Sequence, residues 1–181
     1  ILADEILKGF DAYKNQDYQL AFDIWSKLAS EGDPIAQNSL GVMFQKGEGT
    51  EMNFLLSYTW FKKSAESGYT PAQVSLGYIY DQGMGTEQNK IKAFMWWKIA
   101  SMHGDSDAMT LLKLLSNEIN ENDQKIAINL ADTCVKNNFK ACWWKVFCNF
   151  KACWWKVFCN FKFYFYLNNS PVFQYTLLMQ L

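Results

Sequence analysis

Asp33-Pro-Ile-Ala-Gln-Asn-Ser-Leu-Gly41 recurs as Tyr69-Thr-Pro-Ala-Gln-Val-Ser-Leu-Gly77, and Gly47-Glu-Gly-Thr-Glu-Met-Asn53 recurs as Gly83-Met-Gly-Thr-Glu-Gln-Asn89. The offset is 36 residues in both cases, and Trp60/Trp96, Lys62/Lys98 and the series Gly32, Gly68, Gly104 keep the same register. Ala36, Ala72 and Ala108 mark the start of three successive units. Residues 33–68 and 69–104 align without a gap and share 13 of 36 positions, so the chain is to be read as an array before any local structure is assigned.

Each unit reads as two helices. Asp33-Pro34 supplies an N-cap with proline in the first turn, and Thr70-Pro71 and Asp105-Ser106 offer comparable starts. The first helix, A, runs to Gly47 or Gly83, where glycine permits the left-handed turn that ends it. Asn53 and Asn89 then cap a second helix, B, with Tyr58, Phe61 and Ala65 in one unit and Phe94, Trp97 and Ser101 in the next on one face. Gly41 and Gly77 sit inside helix A, where glycine costs about 1 kcal/mol against alanine, and close contact with a helix B is the gain that offsets it. An opening hairpin is predicted at 5–31, where Asp17 lies 36 residues before Asn53. A fourth hairpin is predicted at 106–137, from Met109–Leu115 and Gln124–Lys136. The predicted fold is therefore all-α: stacked antiparallel hairpins forming an α-solenoid over residues 4–138.

Ala-Gln-x-x-Leu-Gly-x-x-Phe/Tyr-x-x-Gly-x-Gly-Thr-x-x-Asn, followed by Trp-Phe/Trp-Lys and Gly, resembles the Sel1-like repeat, a relative of the tetratricopeptide repeat. The resemblance covers two full units at 33–104 and extends more weakly over the flanking hairpins. Leu55 and Leu56 depart from the lysine-alanine step that Lys92-Ala93 preserves. The resemblance implies a right-handed superhelix that presents a curved surface, built largely by its A helices, to a protein partner. A cysteine-rich subset of the family implies a competing reading, a secreted hydrolase or binder of β-lactam or peptidoglycan-derived ligands. That subset pairs cysteines with seven residues between them within each unit, a spacing seen here only between Cys134 and Cys142.

The residues themselves favour binding over catalysis. A catalytic reading needs a nucleophile with its base, a carboxylate pair in a cleft or metal ligands at suitable spacing. His103 is the single histidine and falls at a helix end, where its cation suits the carbonyls. The Gly47-x-Gly49 and Gly83-x-Gly85 pairs lack the strand and third glycine of a phosphate loop. No catalytic residue, metal ligand or cofactor is assigned. The variable positions of the A helices are the candidate partner-binding stripe: Asn38, Val42 and Gln45 in one unit, and Val74, Tyr78 and Asp81 in the next, with Tyr78 as anchor. Helix surface or packing against the next unit is the alternative for these six.

Composition fits a folded protein: 181 residues, half of them hydrophobic, with 19% charged and a net charge of −1. Neither half is basic enough for nucleic acid. Residues 1–138 hold 12 lysines and 18 acids, whereas 139–181 holds five lysines, no acid and 15 aromatics. In that tail Phe139–Asn149 is repeated without change as Phe150–Asn160, the mark of a recent duplication or a slipped reading frame. An 11-residue period sets Trp143, Trp144, Trp154 and Trp155 on one helical face. The tail is read as an appendage without an evolved role, an apolar interaction segment or a membrane-surface contact, in that order. Ile1-Leu2-Ala3 fits the end of a secretory signal, which sets the expected location outside the cytoplasm, periplasmic or secreted.

Overall fold

A computed structural model describes residues 2–139. Apart from Phe139, the duplicated segment lies outside the described residues, as do the tryptophan face and the cysteines beyond Cys134. Eight helices run in order among them, without a strand: α1 (Leu2–Lys14), α2 (Tyr18–Ser30), α3 (Pro34–Lys46), α4 (Phe54–Glu66), α5 (Thr70–Gln82), α6 (Lys90–Met102), α7 (Ser106–Leu115) and α8 (Glu121–Lys136). The helices α1, α3, α5 and α7 are the A helices, each packed on the B helix of the unit before it where there is one. The all-α solenoid predicted from the repeats is the fold.

Side-chain caps start most of these helices. Asp17, Asp33, Asn53, Asn89, Asp105 and Asn120 each accept a hydrogen bond from the backbone N–H three residues on. One predicted start moves. In the third unit Tyr69 holds the N-cap position and makes no side-chain cap, because Thr70 already stands inside the helix with Pro71 behind it. The caps Asn53 and Asn89 also fix the register of the B helices. Lys92-Ala93 therefore stands at the place of Leu56-Ser57, and not of Leu55-Leu56 as the sequence comparison set it.

The glycines inside the A helices do what their cost implies. A Cβ at Gly41 would stand 2.8 Å from the Phe61 ring, and one at Gly77 would overlap the Trp97 indole. Burying a large aromatic brings roughly 1.5–3 kcal/mol, more than the ~1 kcal/mol that glycine costs the helix. Polar ties reinforce the same seam: the Ser57 hydroxyl donates to the Gly41 carbonyl at 2.8 Å, and Trp97 Nε1 donates to the Val74 carbonyl at 3.0 Å.

The opening hairpin uses the same device at a position that a constant offset conceals. Gly9 faces Trp25, and a Cβ there would overlap the indole. Trp25, Phe61 and Trp97 are 36 residues apart, but Gly9 precedes Gly41 by 32, because α1 and α2 are joined by residues 15–17 where α3 and α4 are joined by 47–53. The four-residue deficit lies wholly in the turn.

The fourth unit departs from the predicted hairpin. Lys113 occupies the glycine position, 36 residues after Gly77, and α7 and α8 make no pairing comparable to that of the other three units. A lysine side chain keeps a partner helix at a distance that glycine does not. Instead α8 packs against α6, and its Ala127, Ala131 and Cys134 join the core that contains Trp96, Trp97 and Ile99. Phe139, just past its end, reaches the His103 ring with 6.3 Å between ring centres. With α5, α7 and α8 around it, α6 is apolar on nearly every side. Trp96 is accordingly fully buried, whereas Trp60, at the same register on α4, is half-buried beneath the Lys63 ammonium, 4.3 Å from its ring centre.

Candidate functional site

The six stripe residues fall into three environments. Val42 and Val74 are half-buried against the core, Val42 lying on the side of the following unit. Asn38 and Gln45 are half-buried as well, and Asn38 Oδ1 is enclosed without a hydrogen-bond partner among the described residues. Asp81 is engaged: it lies 4.0 Å from the Lys90 ammonium and accepts a hydrogen bond from Gln82 Nε2 at 2.6 Å. Tyr78 is exposed, with 46% of its surface open. The side chains thus divide between packing and display, with Tyr78 on the display side.

Aligning the helices on Gly9, Gly41, Gly77 and Lys113 adds two residues that the 36-residue offset alone does not reach together. The position after the glycine is Phe10, Val42, Tyr78 and Leu114 in the four A helices. Phe10 is 43% exposed and Leu114 59% exposed, so an apolar side chain stands at one register in every unit, and three of the four are open to solvent. Leu7 and Leu111 hold the position three residues earlier in α1 and α7, with Ser39 and Ser75 between them. The signal for Phe10 was present in the sequence as Gly9, but the short first turn shifts it out of phase.

Ionisable groups near the A helices serve local structure. Tyr13 donates to the Glu48 carboxylate and accepts from the Lys46 ammonium at 3.1 Å, which clips the turn after α3 onto α1. Burial pushes the Tyr13 hydroxyl above its ordinary pKa, with the Glu48 hydrogen bond adding to the effect. Between the second and third units the Tyr58 and Tyr80 hydroxyls share a hydrogen bond of 2.8 Å. Burial, helped by that bond, holds Tyr80 well above the usual tyrosine range. Burial also lowers Lys92, and Lys62 lowers it further. His103 Nδ1 meets Gln73 Oε1 at 3.3 Å while its backbone N–H caps α6. The helix-end position is as expected, but it is the backbone N–H and not the imidazole that meets the carbonyls; the ring turns to the buried Gln73 instead.

Among the described residues no group of three His, Cys, Asp or Glu side chains is placed to hold a metal, and no helix is long and apolar enough to cross a membrane. A shallow hollow of about 300 Å³ is lined by Glu5, Lys8, Asp23, Ile24 and Lys27, where Lys27 and Glu5 pair at 3.6 Å. It brings no nucleophile to a base. Cys134 is disulfide-bonded.

Comparison with known proteins agrees with this architecture. The Sel1 repeat matches residues 2–33, 34–69 and 70–105. Among solved structures, the c5321 protective antigen of uropathogenic Escherichia coli, which displays an SLR fold, superposes with a TM-score of 0.73 at 22% identity. The match covers 84% of this chain and 33% of the antigen. A Sel1 repeat protein from Oxalobacter formigenes superposes with a TM-score of 0.60 at 31% identity, over 62% of this chain and 46% of that one. The chain thus spans from a third to just under half the length of these relatives. No curated protein matches it. Sel1 repeats generally mediate protein–protein interaction. With three consecutive repeats covering more than half of its length, the chain belongs to the Sel1 repeat family.

Proposed function

We propose that the protein is a non-enzymatic adaptor that holds a protein partner along the exposed face of its A helices. The observation that carries this reading is the apolar row Phe10, Val42, Tyr78 and Leu114, one residue per unit at a single register, with Tyr78 as the anchor. A solenoid repeats its surface as well as its core, so a row at one register becomes a continuous contact line. The stripe residues Asn38, Gln45 and Asp81 flank that line and supply its polar edge, while Val74 lies beside it against the core. The protein works outside the cytoplasm, periplasmic or secreted. The disulfide at Cys134 supports this placement, because disulfides persist where thiols are not kept reduced.

The test is photo-crosslinking from position 78 on the full chain, followed by identification of the captured protein. With the partner in hand, Tyr78→Ala is expected to weaken binding about thirtyfold, the cost of truncating an interface anchor worth ~2 kcal/mol, without loss of helical circular dichroism. Unchanged binding would remove the row from the interface. Turnover of a chromogenic β-lactam above the buffer rate would overturn the non-enzymatic reading.

A further inference from the structure

The fourth A helix packs on α6 through Ala108 and Leu115 but lacks the side-chain ties that the second and third make along their length. In α3 and α5 a buried glutamine reaches back to the preceding B helix: Gln37 Nε2 donates to the Ala29 carbonyl at 3.2 Å, and Gln73 Nε2 to the Ala65 carbonyl at 3.4 Å. The same register in α7 holds Met109, which is exposed, and the carbonyl in register with Ala29 and Ala65 is that of Ser101. Where Tyr80 of α5 meets Tyr58 of α4, the fourth unit sets Ser116 opposite Phe94. Where Gly77 admits Trp97, it has Lys113 and no paired B helix. Of the ten residues of α7, Ala108 and Leu115 are the buried ones.

The ends of α7 are held better than its length. Gly104, at φ +87°, forms the turn before it, and the Asp105 side chain caps its first turn. At the other end Gln124 Nε2 donates to the carbonyls of Ser116 and Ile119, and Glu118 pairs with Lys90.

We propose that α7 is a strap: it undocks from α6 as a local unit while the three glycine-paired hairpins and the α6–α8 contact stay closed. Opening uncovers the side of α6 that carries Phe94 and displaces Leu114, the last apolar residue of the A-helix row. A helix of ten residues is marginal in water on its own, so undocking carries loss of its hydrogen bonds and becomes visible as amide exchange. The inference stands whether or not the row binds a partner.

Hydrogen–deuterium exchange on the full chain tests it. Amides of Ala108–Leu115 are expected to exchange at least about tenfold faster than those of Ala72–Gln82 after correction for intrinsic rates, while Ala127–Cys134 stay protected. Equal protection in α7 and α5 overturns the proposal, as does exchange of α7 and α8 at one common rate. Met109→Gln restores the missing reach to the Ser101 carbonyl and is expected to slow α7 exchange about threefold without changing α5. Exchange in α7 that Met109→Gln leaves unaltered also overturns it.

Discussion

The third unit and the fourth begin alike and end differently. Ala72 and Ala108 are both fully buried at the start of their A helices, and Ile79 and Leu115 are both buried near the other end. Between them Gly77 gives way to Lys113, and with that change α6 pairs with α5 while α8 leaves α7 for α6. One position per unit decides whether two consecutive helices can lie close enough to bury a tryptophan between them. Repetition of the hydrophobic pattern is therefore insufficient to specify the hairpin; the absence of a side chain at the contact is the second requirement.

The same substitution placed at the two positions separates these requirements. Gly77→Leu drives a branched side chain into the Trp97 indole and is expected to cost about 3 kcal/mol in chemical denaturation, the upper end of overpacking in a close-packed core. A loss below about 1 kcal/mol would show that α5 and α6 adjust easily, and the glycine argument would fail. A smaller contrast concerns the tyrosine pair that joins the third unit to the second and that the fourth lacks. Tyr80 is held above its unfolded pKa of about 10, so the neutral hydroxyl stabilises the fold below that pH and the contribution is lost as pH rises past it. Tyr80→Phe should accordingly flatten the fall in stability between about pH 10 and 11, with Tyr13, Tyr69, Lys46 and Lys90, also raised, contributing to what remains and Lys92, lowered by burial, opposing it. An identical alkaline slope in the variant would contradict the assignment. The smallest effect is expected at the fourth unit itself. Lys113→Leu, on an exposed position with no paired helix, should change stability by no more than about 0.5 kcal/mol. A loss comparable to that of Gly77→Leu would mean that a helix does pack there.

Much of the architecture was legible because it is written twice. Two copies of Ala-Gln-x-x-Leu-Gly, each followed by Gly-x-Gly-Thr and a capping asparagine, define the helix ends through chemistry local to each turn. Gly9 escapes the 36-residue offset because its turn is four residues shorter, which breaks the period without altering the contact. The stripe was legible as a set of positions; its division into seam and surface was not. Val42 and Tyr78 share a register, yet Val42 packs against the core while Tyr78 stands in solvent. Helical spacing gives the direction in which a side chain leaves its own helix, but not what the neighbouring unit places in front of it.

By itself the sequence determined the helices, most of their caps, the stacking order of the units and the pressure of the B-helix aromatics on the A-helix glycines. Each of these follows from short-range backbone chemistry or from one repeated contact. Only the tertiary structure decided where α8 goes. Its apolar face fits either α7 or α6, and the choice depends on which surface offers more burial once Lys113 has closed one of them. Burial is a property of the assembled surfaces, and no single stretch of chain carries it.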